Sequence, residues 1–564
     1  MVHVNRKEPY NRRLGALKTE RQSFIDHWRD LSEYLLPRRG RFLITEKNKG
    51  DKKNNKIIDN EGTMALNTLV SGLMSGVTSP ARKWFRLATP DREMMDYGPV
   101  KEWLHKVELA AYEVFQQSNF YQVMPYVYEE MGAFGTASMI QLDDFDTVSR
   151  FQAFTVGEYC IAQDETYRVN SIYREIPMTV EQIVGRYGVK GNDRREIDWS
   201  NISAEVKNLW DRGQKDNWIN IVHLIEPNAD PDQTGLAEDM PWCSVAFEIG
   251  GQDDLLLHKG GFTRFPVYAP RWHIAPPDIY GRSPGMESLG DLRQLQDQQK
   301  KKGSAIAKMV NPPMVASPNM KNQRLSTLPG DVTFAAQTDG TGGFTPAYQV
   351  QPRLQDFQID MQDVRERIRR AFFSDLFLMM AQTDNRQPIT AEEVIERRSE
   401  KLLVLGPVLS RINHDLLDPL VENTFARMTE VDMLPEAPPE LQGQQLKIEY
   451  ISMLANAQKS QDILGIQDTA SFVGGLASLN PDVIDKFDFD QAVDEFGEAR
   501  GLPPNVIRAD DDVENIRAEK AAAQQAQMQQ AQMADAAAGA KVLSETSTEE
   551  GNMLGDMLAG VGSP

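Results

Sequence analysis

Residues 283–310 read SPGMESLGDLRQLQDQQKKKGSAIAKMV, and residues 354–380 read LQDFQIDMQDVRERIRRAFFSDLFLMM. The first stretch opens with a helix start. Ser283 has the hydroxyl that an N-cap needs, and Pro284 suits the first helical position, where its missing N–H would have no partner anyway. The helix is expected to reach Val310, roughly 40 Å at 1.5 Å per residue, where Asn311-Pro312-Pro313 stops it. The second stretch sets Leu354, Phe357, Met361, Val364, Ile368, Phe372 and Leu376 mostly three or four apart, a narrow seam for a neighbour. Residues 311–353 between them are rich in Gly, Pro, Thr and Gln and read as a compact β-like insert. Two matched helices with a tip between them predict a stalk. Its first helix carries few large apolar residues, so the stalk is expected to pack against further copies of the chain.

The remaining sequence sets bounds on the partners. The chain has 564 residues and a net charge of −21, enough length for several packed units. That acidic balance argues against sequence-independent DNA binding over the whole surface. The charge is uneven, since residues 1–56 hold 15 Lys and Arg against 7 Asp and Glu. Such a basic segment reads either as a solvated arm or as a contact with nucleic acid or an acidic partner. Two cysteines, Cys160 and Cys243, point to a reducing compartment without a disulfide framework. The N-terminus lacks the apolar core of a signal peptide. No run of about 18 apolar residues predicts a membrane-spanning helix.

Along the chain, Leu17, Phe24, Trp28, Leu31 and Leu35 share one helical face, and Pro37 ends that helix. A second helix is expected over 58–77, with Gly72 and Gly76 permitting a close neighbour. Trp84–Leu87 reads as a short strand, and helices follow at 98–117 and 121–133. From Gly135 the period shifts toward two. Strands are expected at Thr136–Leu142, Phe151–Val156, Arg168–Glu175, Trp218–Glu226, Trp242–Ile249 and Phe265–Trp272, with short helices near 179–187 and 203–210. The body is therefore α+β with an antiparallel sheet, and the chain as a whole is mainly helical. Thr390 and Glu393 fit a capping box. The helix they open carries Val394, Leu402, Leu405, Leu409, Ile412, Leu416 and Leu420 inward and should kink or divide at Pro407 and Pro419. Residues 447–500 read as three short helices and 513–539 as an Ala/Gln/Met-rich helix. The last residues are expected to be unstructured.

Few strings suggest chemistry. Gly281-Arg282-Ser283-Pro284-Gly285 matches G-x-S-x-G, but the residue after that serine should donate an N–H to an oxyanion hole, and Pro284 has none. No P-loop and no H-E-x-x-H occur. His223 and His273 read as core residues, not ligands. Asp143, Asp144 and Asp146 read as a solvated turn, and Asp510, Asp511 and Asp512 as a helix start. Neither has the spacing of an EF-hand loop. Lys300, Lys301, Lys302 and Lys308 on the first stalk helix, with Arg365, Arg367, Arg369 and Arg370 on the second, have two readings. They form inter-helix ion pairs and solvated faces, or they supply a few phosphate-facing charges in a channel through which a duplex must slide.

Several stretches together resemble the phage portal proteins, the head-to-tail connectors of short-tailed phages. These are Ser71–Pro80 followed by Trp84-Phe85-Arg86-Leu87, then Ile389–Val394 running into Gly406-Pro407-Val408-Leu409, and Gly501-Leu502-Pro503-Pro504 with Ile507-Arg508, Val513 and Ile516-Arg517. The order of body, long helix, insert, long helix, polar loop and kinked helix matches as well. The resemblance implies a ring, usually of twelve copies, at one capsid vertex, through which double-stranded DNA passes. It implies an N-terminal wing over 1–283, stem helices over 284–310 and 354–380, and a clip over 311–353. A tunnel loop over 381–390, a wing helix and linker over 391–444, a crown over 445–512 and a barrel helix over 513–540 follow, with an unstructured tail over 541–564. The implied partners are terminase, major capsid and scaffolding proteins, and tail adaptor or nozzle proteins, with no membrane insertion, no cofactor and no metal. Candidate channel residues are Lys300, Lys301, Lys302, Lys308, Gln382, Asn385, Arg386 and Gln387. The alternatives are a head-assembly or scaffold component that lines no channel, and a serine hydrolase using Ser283.

Overall fold

The computed structural model describes residues 6–42, 55–91, 97–189, 197–229, 236–250, 254–316, 344–346, 353–381, 404–441, 446–450, 465–476, 486–500 and 510–545, with 53, 94–95, 231 and 483. The chain divides into two compact units. One comprises 1–87, 106–436 and 448–461, the other 88–105, 437–447 and 462–564. No helix among the described residues is long and apolar enough to cross a membrane.

The first unit begins its strands with β1 (Phe85–Ala88). A hairpin of β2 (Ser138–Asp144) and β3 (Val148–Phe154) follows. Then β4 (Tyr159–Gln163), β5 (Val169–Thr179), β6 (Trp218–Pro227), β7 (Trp242–Glu248) and β8 (His258–Phe262) form an antiparallel sheet in chain order. The short β9 (Val267–Tyr268) returns to β2. The pleat sends alternate residues to opposite faces. Val222, Leu224, Val245 and Phe247 meet Leu14 and Leu17 of the Glu8–Tyr34 helix on one face. Ile221 and Ala246 meet Val180, Ile183, Val184 and Val206 of two short helices on the other. Both faces are buried, which is why β6 reads as a nearly continuous apolar run.

Charge also fastens the first helix. Arg13 lies 3.0 Å from Glu226, Lys18 pairs with Glu175, and the Arg21 guanidinium donates to the carbonyl of Gly157 at 3.1 Å. Part of the basic N-terminal segment is therefore built into the body, neither a solvated arm nor a nucleic-acid contact. Two strands escape the sequence pattern. β4 is short and lies between turns, and β8 carries Gly260 and Gly261, which have low strand propensity. The strand expected at 265–272 shrinks to two residues, because Pro266 and Pro270 flank it and lack the N–H that a ladder needs.

The helical side of this unit packs at glycines. A Cβ on Gly72 of the Glu61–Gly76 helix would stand 2.1 Å from the Phe377 ring, and one on Gly62 would stand 2.3 Å from Leu292. The first stalk helix spans Pro284–Val310, as expected. The second does not run unbroken to Met380. It covers Leu354–Ala371, and a separate helix covers Ser374–Ala381. Phe373 between them holds φ at 55°, in the left-handed region, which costs about 1–2 kcal/mol for an ordinary residue. The break lets Phe372 stay in the seam, sets the Phe373 ring 6.0 Å from that of Trp272, and aims Phe377 at Gly72. Burying a phenylalanine is worth about 1.5–3 kcal/mol, so the strain is outweighed.

Residues 404–430 show how the chain accommodates Pro419. A π-type turn over Asn413–Leu417 precedes the Asp418–Glu430 helix. The wider turn moves the carbonyl that the proline ring would strike. The Thr390–Glu393 capping box and Val394 lie outside the described residues. The insert shows strands at its two ends, β10 (Met314–Ala316) paired antiparallel with β11 (Phe344–Pro346). Lys447–Tyr450 is a strand, β12, not part of a helix. In the second unit, helices span Phe489–Arg500 and Asp510–Glu545, and Arg517 grips Asp490 through two nitrogens at 2.6 and 2.7 Å. The last helix thus enters the stretch expected to be unstructured, through residues 541–545.

The glycine packing gives a test. Gly72→Ala is expected to destabilise the protein by about 1–3 kcal/mol through overpacking, measured by urea unfolding. The loss should be smaller in a Phe377→Leu background.

Candidate DNA-channel and assembly site

A buried carboxylate lies at the centre of the joint between stalk and body. Asp59 sits just before the Glu61–Gly76 helix and is 8 % exposed. Its Oδ2 accepts from Arg365 at 2.7 Å and from Gln299 at 2.8 Å, while Oδ1 accepts the Glu61 N–H at 3.0 Å. Gln296 completes the knot. Its Oε1 accepts the N–H groups of Ile58 and Asp59 at 2.6 and 2.8 Å, and its Nε2 donates to the Asp59 carbonyl at 2.8 Å. Three segments distant in sequence therefore meet at this point: the 58–61 turn, the first stalk helix and the second. Burial alone would raise the Asp59 pKa. The hydrogen bonds from Arg365, Gln299 and the Glu61 N–H outweigh it and hold the carboxyl below its ordinary value.

Sequence reasoning missed this knot. Gln296 lies on the first helix between the buried Leu292 and Leu295 and the half-buried Gln299. A glutamine at such a seam position is the signal that was there to be read.

The other arginines of the second helix are paired as well. Arg369 reaches Glu61 at 2.6 Å, Arg367 reaches Asp291 on the first helix at 3.1 Å, and Arg370 pairs with Glu366 one turn away. The ion-pair reading therefore holds for these residues. The lysines differ. Lys301 pairs with Asp297 on its own helix at 2.7 Å. Lys300 and Lys308 are exposed, and Lys302 is half-buried beside a groove along the second helix. Gln382, Asn385, Arg386 and Gln387 lie outside the described residues.

The remaining candidates are structural, save that His273, expected in the core, is exposed. The Ser283 hydroxyl is fully buried, accepts the Met286 N–H at 3.0 Å and donates to the Ala133 carbonyl at 2.7 Å. The glycines of its motif are close-approach sites. Added Cβ atoms would stand 2.2 Å from the Gly135 carbonyl oxygen at Gly281 and 2.5 Å from that of Ala133 at Gly285. Both features account for the G-x-S-x-G string without a nucleophile. His223 contacts Ser244 Oγ at 3.0 Å inside the sheet, and burial, with Arg186 and Arg174 nearby, pushes its pKa down to about 3. Asp144 accepts from Thr147 at 2.8 Å in the β2–β3 turn, and Asp143 pairs with Arg427. Asp510–Asp512 open the last helix. Among the described residues no group of three His, Cys, Asp or Glu could hold a metal ion.

Residues 7–507 match the family described as bacteriophage head to tail connecting protein. The chain belongs to this family. It is 44 % identical over 560 residues, 99 % of each chain, to the portal protein of Salmonella phage epsilon15. It is also 44 % identical over 510 residues, 90 % of each, to the probable portal protein of Bordetella phage BPP-1. A chain from the neck of an empty gene transfer agent particle aligns at a TM-score of 0.36 and 9 % identity, covering 76 % of this chain and 92 % of that one. That likeness is too weak to carry an argument. Portal proteins are non-enzymatic structural components of the virion. The hydrolase alternative therefore falls, as the doubly committed Ser283 hydroxyl requires, and so does that of a head component outside the connector.

In this portal chain Asp59→Ala should cost about 3 kcal/mol at neutral pH, because it strands Arg365 and Gln299, whereas Gln296 keeps its bonds to the backbone. Folding lowers the Asp59 pKa, so its contribution is complete above the ordinary value of 3.8 and is lost as pH falls through the lower folded value. The gap between wild type and variant in urea unfolding should therefore shrink in acid.

Proposed function

We propose that the chain forms a closed ring, usually of twelve copies in this family, at one capsid vertex, and that double-stranded DNA passes along the axis during packaging, retention and ejection. Besides family membership, one observation carries the reading: the lower stalk leaves large apolar side chains in water. Val310 is 72 % and Ile359 70 % exposed, and Ile306 and Met309 are close to half-exposed. Exposed apolar clusters mark surfaces that another chain covers, and a ring of identical copies covers them with itself.

In this reading residues 1–283 and 391–444 form the wing, 284–310 and 354–380 the stem, and 311–353 the clip. Residues 445–512 form the crown, 513–540 a barrel helix that extends it, and 541–564 a tail. The clip receives terminase during packaging and tail adaptor or nozzle proteins afterwards. Major capsid and scaffolding proteins surround the ring. The loop at 381–390 turns Gln382, Asn385, Arg386 and Gln387 toward the duplex. One cation per copy touches phosphates without gripping them, and the net charge of −21 suits a conduit that lets DNA slide.

Purified protein should give a solution mass of about a dozen 63.6 kDa chains, with an axial hole in images of the same sample. A stable monomer, even with scaffolding protein added, would sink the reading. Arg386→Ala should shorten the packaged or retained DNA, and unchanged genome length would remove the loop cation from the proposal.

A further inference from the structure

The ring reading leaves open what fixes the register between copies. We propose that an ion-pair seam does so, formed by the lower half of the first stalk helix of one copy against the second stalk helix of the next. The proposal rests on the ring reading and adds a partner surface to it.

The charges are segregated by helix. Residues 298–310 contain Lys300, Lys301, Lys302 and Lys308 and no carboxylate, whereas residues 354–363 contain Asp356, Asp360 and Asp363 and no cation. The two stretches lie side by side in the antiparallel pair. Arg367 meets Asp291, and further down Gln298 meets Asp360 at 2.5 Å. Continuing that spacing sets Lys302 level with Asp356. In the upper stalk Arg367 and Asp291 form an ion pair across the interface between the helices. In the lower stalk no ion pair crosses between them among the described residues. Instead Lys301 turns to Asp297, Asp363 to Arg367, and Asp356 to Arg353 at 3.8 Å. These are exposed pairs one turn apart on the same helix, and such pairs hold their side chains weakly. The charges remain available to another chain.

The surface between them has room for one. A groove of about 590 Å³ runs along the second helix, its lining including Lys302, Gln355, Asp356, Ile359 and Gln362, with Arg365, already paired to Asp59, among the rest. Ile359 lies two residues from the buried Met361, about 200° around the helix, so it faces away from the partner helix of its own chain. A neighbour's first helix brings the matching chemistry, three consecutive lysines followed by Ile306 and Met309. First helix on first helix would set lysines together, and second on second would set carboxylates together. Each first helix against the next copy's second helix places opposite charges face to face, and head to tail it uses both sides of every copy. The lysines then face a neighbour and not the DNA.

The test is rescue in trans. One full-length variant carries Lys300→Glu, Lys301→Glu and Lys302→Glu, and the other carries Asp356→Lys, Asp360→Lys and Asp363→Lys. Each alone should need at least about tenfold more protein to form rings than wild type. An equimolar mixture should recover assembly, because every contact in an alternating ring is again complementary. Neutral variants guard against misfolding: Lys→Gln at the same three positions should flatten the decline in ring assembly from about 0.1 to about 1 M salt. Rings from either charge-reversed variant at wild-type concentration, a mixture no better than its parts, or an unchanged salt response for the neutral variant would each overturn the seam. So would a neutral variant whose rings assemble normally but retain less DNA, which would return the lysines to the channel. Absence of rings from the unaltered chain would instead strike the ring reading.

Discussion

A carboxylate removed from water must be met by donors or it will not stay ionised. Asp59 meets that requirement with groups from three segments, and the geometry of the stalk follows from it. Gln296 and Gln299 fix the rotation of the first helix, one turn apart along its inner face. Arg365 fixes the second helix against the same oxygen. The turn that carries Asp59 leads directly into the Glu61–Gly76 helix, whose glycines admit Leu292 and Phe377. One desolvated group thus ties the body's helix packing to the start of the stalk.

The upper and lower halves of the stalk obey different rules. Above, Leu292, Leu295, Met361, Val364, Ile368 and Phe372 are buried within one chain, and arginines of the second helix pair with Asp291 of the first helix and Glu61 of the body. Below, the apolar seam runs out on the first helix, polar side chains replace it, and large apolar residues point outward. A single chain does not satisfy that half. A protein that acts only as a closed assembly can leave part of its core to be completed by neighbours, and family membership gives this chain that setting.

The distribution of charge follows a similar division. Basic residues in the body are consumed by the fold, as Arg13, Lys18 and Arg21 show on the sheet and Arg365, Arg367 and Arg369 show at the joint. Counting cations along the sequence therefore overstates the number available to nucleic acid. An acidic chain with these arginines already paired resists tight binding of a duplex, which is what a passage for DNA requires.

The sequence by itself determined the elements whose causes are local. The Ser283 cap, the full extent of the first stalk helix, the α+β class, most strands of the sheet and the order of parts that marks the family all follow from capping, periodicity and turn chemistry. These depend on residues a few positions apart. Other features depended on residues that meet only after folding. The left-handed Phe373 exists because Trp272 receives its ring and Gly72 receives that of Phe377. β8 exists because β7 offers an edge to two glycines. The Asp59 knot joins positions more than two hundred residues apart, and no spacing rule connects them. The roles of the stalk charges were ambiguous for the same reason. Sequence shows that a lysine and an arginine are both cations, but only the tertiary structure decides which has a carboxylate within reach, because ion pairing falls off over a few ångströms and that distance is set by packing.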